Sequence, residues 1–112
     1  MKQITEIDSD AKQNLIIIGE NNERITFNIY YSSGQQSWFF DIEYLDFFAY
    51  GLKLVTAPNV LRRFRNVIPF GIMSYTIDGA EPYFIDDFEK GRVILYLLNE
   101  LEVEEIEEDY YR

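Results

Sequence analysis

The residues best suited to chemistry are two carboxylates, Asp41 and Glu43, two positions apart in the segment SWFFDIEYLD. Acids at that spacing on a strand share one face, and a carboxylate pair can perform general acid–base catalysis when burial raises the pKa of one member. Trp38 and Ile42 fall on the opposite, apolar face. We therefore interpret the two acids as part of a solvated face, with a small carboxylate-based enzyme as the alternative.

Other catalytic and metal-binding patterns are missing from the sequence. The chain has no Cys and no His, which excludes disulfides, thiol or Ser-His-Asp nucleophiles and the usual zinc ligands. Asp78, Asp86 and Asp87 could approach a calcium ion, but DGAEPYFIDD lacks the alternating oxygen ligands and final Glu of a calcium loop. We predict a turn there, and a protein that is not an enzyme and has no catalytic, cofactor or metal site.

Three arginines stand close together in PNVLRRFRNVIPFG although the net charge of the chain is −10. We call Arg62, Arg63 and Arg65 the arginine cluster. It could be a solvated helix face, or it could pair internally with the Glu-rich C-terminus or with Asp86 and Asp87. It could also grip carboxylates of another protein, since Arg is enriched in interface hot spots and binds carboxylates bidentately.

The C-terminus carries much of the negative charge. Residues 100–112, the acidic tail, contain seven acids and one base. A basic cluster and an acidic tail are complementary surfaces that could steer the chain onto a partner or onto another copy of itself. The predicted protein interface comprises the arginine cluster with four tail residues: Glu104, Glu105, Tyr110 and Tyr111.

The elements that would carry these residues are mostly strands. In RITFNIYY, apolar Ile25, Phe27 and Ile29 alternate with polar or amphipathic residues, and SWFFDIEYLD alternates in the same way. Aromatic residues make up 17% of the chain and suit half-buried sheets. We predict a mainly β fold, a small antiparallel sandwich or partly open barrel with one short helix. Residues 1–99 form a single domain in this interpretation, followed by the acidic tail.

Several segments between the clear strands are assigned from local signals. We expect FFAYG to be a tight connection that ends at Gly51, followed by a strand LKLVTA. A helix of about two turns should start at Asn59 and end at Pro69, with Leu61, Phe64 and Ile68 on one face. AEPYFIDDFEKG should be a loop, and RVILYLLNELEV should be the last strand. The acidic tail could fray, extend that strand or fold against a partner. The apolar residues expected to anchor the loop are Tyr83, Phe84, Ile85 and Phe88.

The bulk properties also restrict location and partners. No signal-peptide core is evident, and no apolar run approaches the roughly 20 residues that cross a bilayer, so we expect a soluble protein with no membrane partner. Its negative charge argues against nucleic-acid binding, because phosphates repel it. An acidic inhibitor or DNA mimic that occupies a host enzyme is the alternative function.

The order of elements resembles that of the baseplate plug proteins of contractile-tailed bacteriophages, of the type described for a cyanophage tail. Three segments carry the likeness: ERITFNIYYSSGQQSWFFDIEYLD, GLKLVTAPNVLRRFRNVIPFG and GIMSYTIDGAEPYFIDDFEKGRVILYLL. They share structural spacings with the family rather than catalytic motifs. The acidic tail looks like an addition to the family pattern.

The resemblance implies a structural, non-enzymatic virion component of the tail baseplate, made in the host cytoplasm. Its partners would be other baseplate proteins, namely the hub and the tail tube, with a homo-oligomer as a further option. The arginine cluster and the acidic tail would then be docking elements.

Overall fold

A computed structural model of the chain describes residues 1–110. These residues form seven strands and one α-helix, with a single short 3-10 turn at Arg62–Phe64. The elements are β1 (Lys2–Ile4), β2 (Lys12–Ile18), β3 (Arg24–Ser32), β4 (Ser37–Tyr44), β5 (Phe47–Lys53), β6 (Gly71–Thr76), β7 (Val93–Leu98) and α1 (Glu100–Tyr110).

The larger sheet is an antiparallel meander in the order β2-β3-β4-β5. Its alternation follows the sequence, because Ile25, Phe27 and Ile29 are completely buried on one face of β3. Phe27 pairs with Ile42 and Ile29 with Phe40 on β4, so the apolar faces of the two strands coincide. The strand predictions for both segments are confirmed.

The smaller sheet has the order β1-β7-β6 and is also antiparallel. Its apolar side chains join those of the larger sheet in one core, with members that include Ile4, Ile72, Leu95 and Leu97. The two sheets stay open and do not close into a barrel. The predicted fold class, a mainly β antiparallel architecture with one short helix, is confirmed.

Aromatic rings fill the centre of this core. Trp38 is completely buried, with its ring centroid 5.2 Å from that of Tyr31 and 5.1 Å from that of Phe88, both edge-on. Its indole N–H donates to the carbonyl oxygen of Phe84 at 2.9 Å. Edge-to-face packing and a satisfied indole N–H make Trp38 a fixed point between β4 and the loop before β7.

The prediction of a connection at FFAYG is wrong, because these residues belong to β5. The turn comes earlier, at Leu45 and Asp46, and contains none of the glycines that usually mark a two-residue hairpin. Gly51 instead lies in a β-bulge, where the pairing with β4 shifts and the backbone has φ +70°. Only Leu52 and Lys53 of the expected strand LKLVTA are in a strand.

The predicted helix from Asn59 is also wrong in length. Leu61 and Ile68 are buried and Phe64 is partly buried, as the periodicity indicates, but most of the turn hydrogen bonds are of the i to i−3 type. The Asn59 side chain accepts the amides of Leu61 and Ile72, which ties the segment to β6. With a proline at position 69 there is too little chain to propagate an α-helix.

The α-helix of the fold is in the acidic tail, so the prediction of a strand over the whole of RVILYLLNELEV is wrong: β7 ends at Leu98. Asn99 and Glu102 form a capping box: the Glu102 amide donates to Asn99 Oδ1 at 2.8 Å, and the Asn99 amide donates to Glu102 Oε1 at 2.9 Å. Val103 and Ile106 pack on Leu98, which docks α1 against β7. Among residues 1–110 no helix is long and apolar enough to cross a membrane.

Candidate interaction surfaces

The arginine cluster lies on the 3-10 turn, with buried Leu61 as its anchor beneath. Arg65 Nη1 is 2.6 Å from Glu107 Oε2, and Arg62 Nε is 3.4 Å from Glu107 Oε1. The Arg63 guanidinium carbon lies 5.2 Å from the centroid of the Phe64 ring, within cation–π range. The structure therefore joins the cluster to the acidic tail, one of the two internal pairings considered from the sequence.

This pairing leaves the cluster accessible. Arg62 and Arg65 both contact the Glu107 carboxylate, and their side chains remain 47% and 45% exposed. They border a shallow groove of about 480 Å³ whose lining residues are Val60, Arg62, Arg63, Arg65 and Asn66. A planar carboxylate from another chain could be held there by bidentate hydrogen bonds.

Helix α1 presents the opposite charge. Glu104 and Glu105 are exposed, whereas Glu107 is turned toward the arginine cluster with only 15% of its side chain accessible. Acids in the last turn of a helix oppose its macrodipole, so the two arginines that contact Glu107 relieve an unfavourable interaction. Tyr110 ends the helix, and Tyr111 lies outside the described residues.

A second charged group, which sequence reasoning missed, is the pair formed by Asp87 and Arg92. Asp87 is 2% exposed and accepts both Arg92 Nη2 at 2.6 Å and Arg92 Nε at 2.8 Å. It also accepts the backbone amides of Tyr83 and Phe84. Burial opposes its ionisation, but these donors outweigh burial and hold the pKa of Asp87 below its usual value. The sequence signal that could have revealed this pair was the acidic dipeptide Asp86-Asp87 with Arg92 shortly after it.

The pair organises the loop between β6 and β7. Arg92 Nη1 also contacts Asp78 at 2.9 Å, so a guanidinium occupies the space between carboxylates that a cation would need. Within the part of the chain that the structure describes, no group of three acids or other metal ligands is assembled.

The turn predicted in DGAEPYFIDD is present. Of the predicted anchors, however, Phe84 and Ile85 are 52% and 40% exposed, because the loop is held through its backbone carbonyls and Asp87 instead.

Of the two acids on β4, Asp41 has a structural role. Asp41 Oδ1 accepts the amide of Gly51 at 2.8 Å, which fixes the β-bulge, and the Tyr30 hydroxyl at 3.3 Å. Both Asp41 and Glu43 are half-buried rather than fully solvated, since aromatic side chains of β3 and β5 lie beside them. The geometry thus directs Asp41 to the backbone of its own sheet.

Exposed aromatic rings and surfaces of opposite charge mark candidate contacts with other proteins. The chain belongs to the family described as "Cyanophage baseplate Pam3 plug gp18", whose profile matches residues 1–100. The resemblance noted from the sequence is thereby confirmed, and it places the chain among structural components of the phage baseplate. No curated protein matches the chain.

The family match covers the arginine cluster but not most of helix α1. It ends at residue 100, where α1 begins, so most of the acidic helix lies beyond the part that defines the family. The arginine cluster lies inside the matched part. The ion pairs of Glu107 therefore connect the shared scaffold to a segment outside the family profile.

Proposed function

We propose that this chain is the plug at the centre of a phage tail baseplate, where it packs against the hub and the tail-tube proteins without catalysing a reaction. The match over residues 1–100 carries this proposal. The chain would be made in the host cytoplasm and end in the virion tail. Family membership favours this function over the acidic-inhibitor alternative.

The arginine cluster is the first proposed docking element. Its three arginines border an open groove, and the side chains of Arg62 and Arg65 stay nearly half exposed although both contact Glu107. Arg side chains at interface centres bind carboxylates through paired hydrogen bonds, which gives orientation as well as affinity. We therefore expect an acidic segment of a neighbouring baseplate protein to lie in this groove.

The acidic tail is the second docking element. Glu104 and Glu105 project into solvent from α1, and Tyr110 and Tyr111 come later in the sequence of the tail. A basic surface on the neighbour would be drawn to this helix, since complementary charges steer association and fix register. A second copy of the chain carries both a basic and an acidic surface and is the alternative partner. Nucleic acid and membranes are not expected partners.

Charge reversal with an internal rescue tests whether the cluster acts between molecules. Phage that lack this gene are complemented in trans with Arg65→Glu, Glu107→Arg or both changes together, and the chain is quantified in purified particles. The double variant keeps one ion pair between the turn and α1, so its thermal stability should approach that of the wild type. We expect particle incorporation to remain low in the double variant.

The comparison separates the two roles of the same arginine. Restored incorporation in the double variant would mean that Arg65 serves only the internal contact, which contradicts its proposed docking role. Arg63→Glu provides an independent arm, because Arg63 contacts the Phe64 ring rather than Glu107. It should lower incorporation while the melting temperature stays within a few degrees.

A further inference from the structure

The tip of the β4–β5 hairpin has an unusual residue in an unusual conformation. Leu45 takes φ +53°, in the left-handed region, and 85% of its surface is exposed. Gly, Asn and Asp favour such turn positions, whereas a bulky apolar side chain is disfavoured there. The position therefore carries both a strained backbone and an apolar group in water, and neither stabilises the isolated chain.

Two exposed aromatic rings lie on β5, the strand that follows the tip. Phe48 and Tyr50 are 62% and 57% exposed, and their rings stack with centroids 5.4 Å apart. They lie on one side of the strand, because residues two apart share a face. Phe47, between the tip and Phe48 in sequence, packs against the core on the other side. We call Leu45, Phe48 and Tyr50 the hairpin ridge.

Carboxylates border the ridge. Asp46 is exposed beside Leu45 in the turn, and Glu43 is the direct cross-strand partner of Phe48. Partial desolvation and the Glu43 carboxylate both raise the pKa of the Tyr50 hydroxyl. An apolar ridge with acids at its border complements an apolar pocket with a basic rim.

We propose that the hairpin ridge inserts into an apolar pocket, rimmed by Arg or Lys, on a neighbouring baseplate protein. The inference rests on the proposed function, which supplies the neighbour's class. The partner is a different protein rather than a second copy. Each copy carries a net charge of −10, and its basic groove at the arginine cluster is lined mainly by polar residues rather than by an apolar pocket. Strain at Leu45 is retained because the exposed side chain is needed at the tip.

One substitution separates this role from a structural one. Leu45→Asn suits the left-handed conformation and removes the apolar group, so the melting temperature of the free protein should stay equal or rise by about 2–5 °C. Its incorporation into particles should nevertheless fall by about tenfold or more, as for a central hot spot. The matched control is Ile77→Asn, which removes a 64% exposed apolar side chain outside the ridge and should leave incorporation unchanged.

The basic rim is tested separately through Asp46. Asp46→Lys places a positive charge at the tip and should reduce incorporation, whereas wild-type incorporation of this variant would overturn the basic-rim part of the proposal. Wild-type incorporation of Leu45→Asn would overturn the insertion itself.

Hydroxyl-radical footprinting identifies what covers the ridge. Oxidation of Leu45, Phe48 and Tyr50 should be several-fold lower in isolated baseplates than in the free protein, and it should not change with the concentration of the free protein. Protection that grows with concentration would overturn the proposal in favour of a second copy. If the chain is present in baseplates with the ridge accessible, only this inference fails; if the chain is absent from them, the proposed function fails as well.

Discussion

Arg65 Nη1 lies 2.6 Å from Glu107 Oε2, and this contact joins the 3-10 turn of the family scaffold to the helix beyond it. It neutralises part of each charged surface: one carboxylate of α1 and part of the arginine cluster. We propose that the exposed parts of the arginine cluster and the exposed acids Glu104 and Glu105 contact other proteins. The pair thus fixes the relative position of two oppositely charged surfaces.

The first prediction concerns the strength of this contact. Glu107→Gln should lower the free energy of unfolding by only about 0.5–1 kcal/mol, because both arginines are nearly half exposed and solvent screens the pair. Hydrogen exchange of the α1 amides should accelerate by the factor that corresponds to this loss of free energy. Glu104→Gln, on the exposed side of the same helix, is the control and should leave exchange nearly unchanged.

The second prediction concerns domain organisation. A chain that ends at Asn99 should still unfold cooperatively, because the core of the two sheets does not include α1. It should lose about 3–5 kcal/mol, the expected contribution from burying Val103 and Ile106. Urea denaturation measures both quantities. A broad transition without a folded baseline would show that residues 1–99 are not an independent domain.

The third prediction concerns pH. Because the pKa of Asp87 is lower in the folded chain than the unfolded value of about 3.9, its ionised form stabilises the fold fully above about pH 4. That stabilisation is lost as pH falls through the folded pKa. Asp87→Asn should cost about 3–5 kcal/mol at neutral pH, since Arg92 loses a buried partner. Its unfolding free energy should also fall less steeply below pH 4, and equal slopes would contradict the assignment.

The fourth prediction concerns the close contact between Gly71 and Asn59. A Cβ at position 71 would lie 2.7 Å from Asn59 Oδ1, which already accepts the amides of Leu61 and Ile72. Gly71→Ala should therefore cost about 1–3 kcal/mol in thermal or chemical denaturation. Gly34→Ala, where a Cβ would meet nothing within 4 Å, should change stability by less than about 0.5 kcal/mol. Similar effects at both positions would refute this account of the 59–72 segment.

Sequence reasoning succeeded where local pattern and tertiary burial agree. The alternation in β3 and β4 located both strands and their buried faces, because the period-two pattern is imposed by the core itself. Sequence reasoning failed at the hairpin tip, because Leu45 takes a left-handed backbone conformation that a leucine does not signal. The helix at α1 had a readable signal in the capping box of Asn99 and Glu102, which the run of acids obscured.

The candidate surfaces could also be predicted from the sequence only in part. The arginine cluster and the acids of α1 were visible from composition, but their contact at Glu107 required the fold to bring residues 65 and 107 together. Asp87 was considered only as a calcium ligand or a partner of the arginine cluster, and its pairing with Arg92 was missed, because a buried ion pair is defined by its surroundings rather than by spacing. The exposure of Phe48 and Tyr50 depends on which face of an edge strand they occupy, and that was hidden while the segment was interpreted as a connection.

Quantitative mass spectrometry of tail baseplates isolated from purified particles tests the central claim most directly. The account predicts that the chain is present at a fixed ratio to the hub protein and remains through washes that remove loosely bound host proteins. A chain that is made during infection but absent from the baseplates would contradict it.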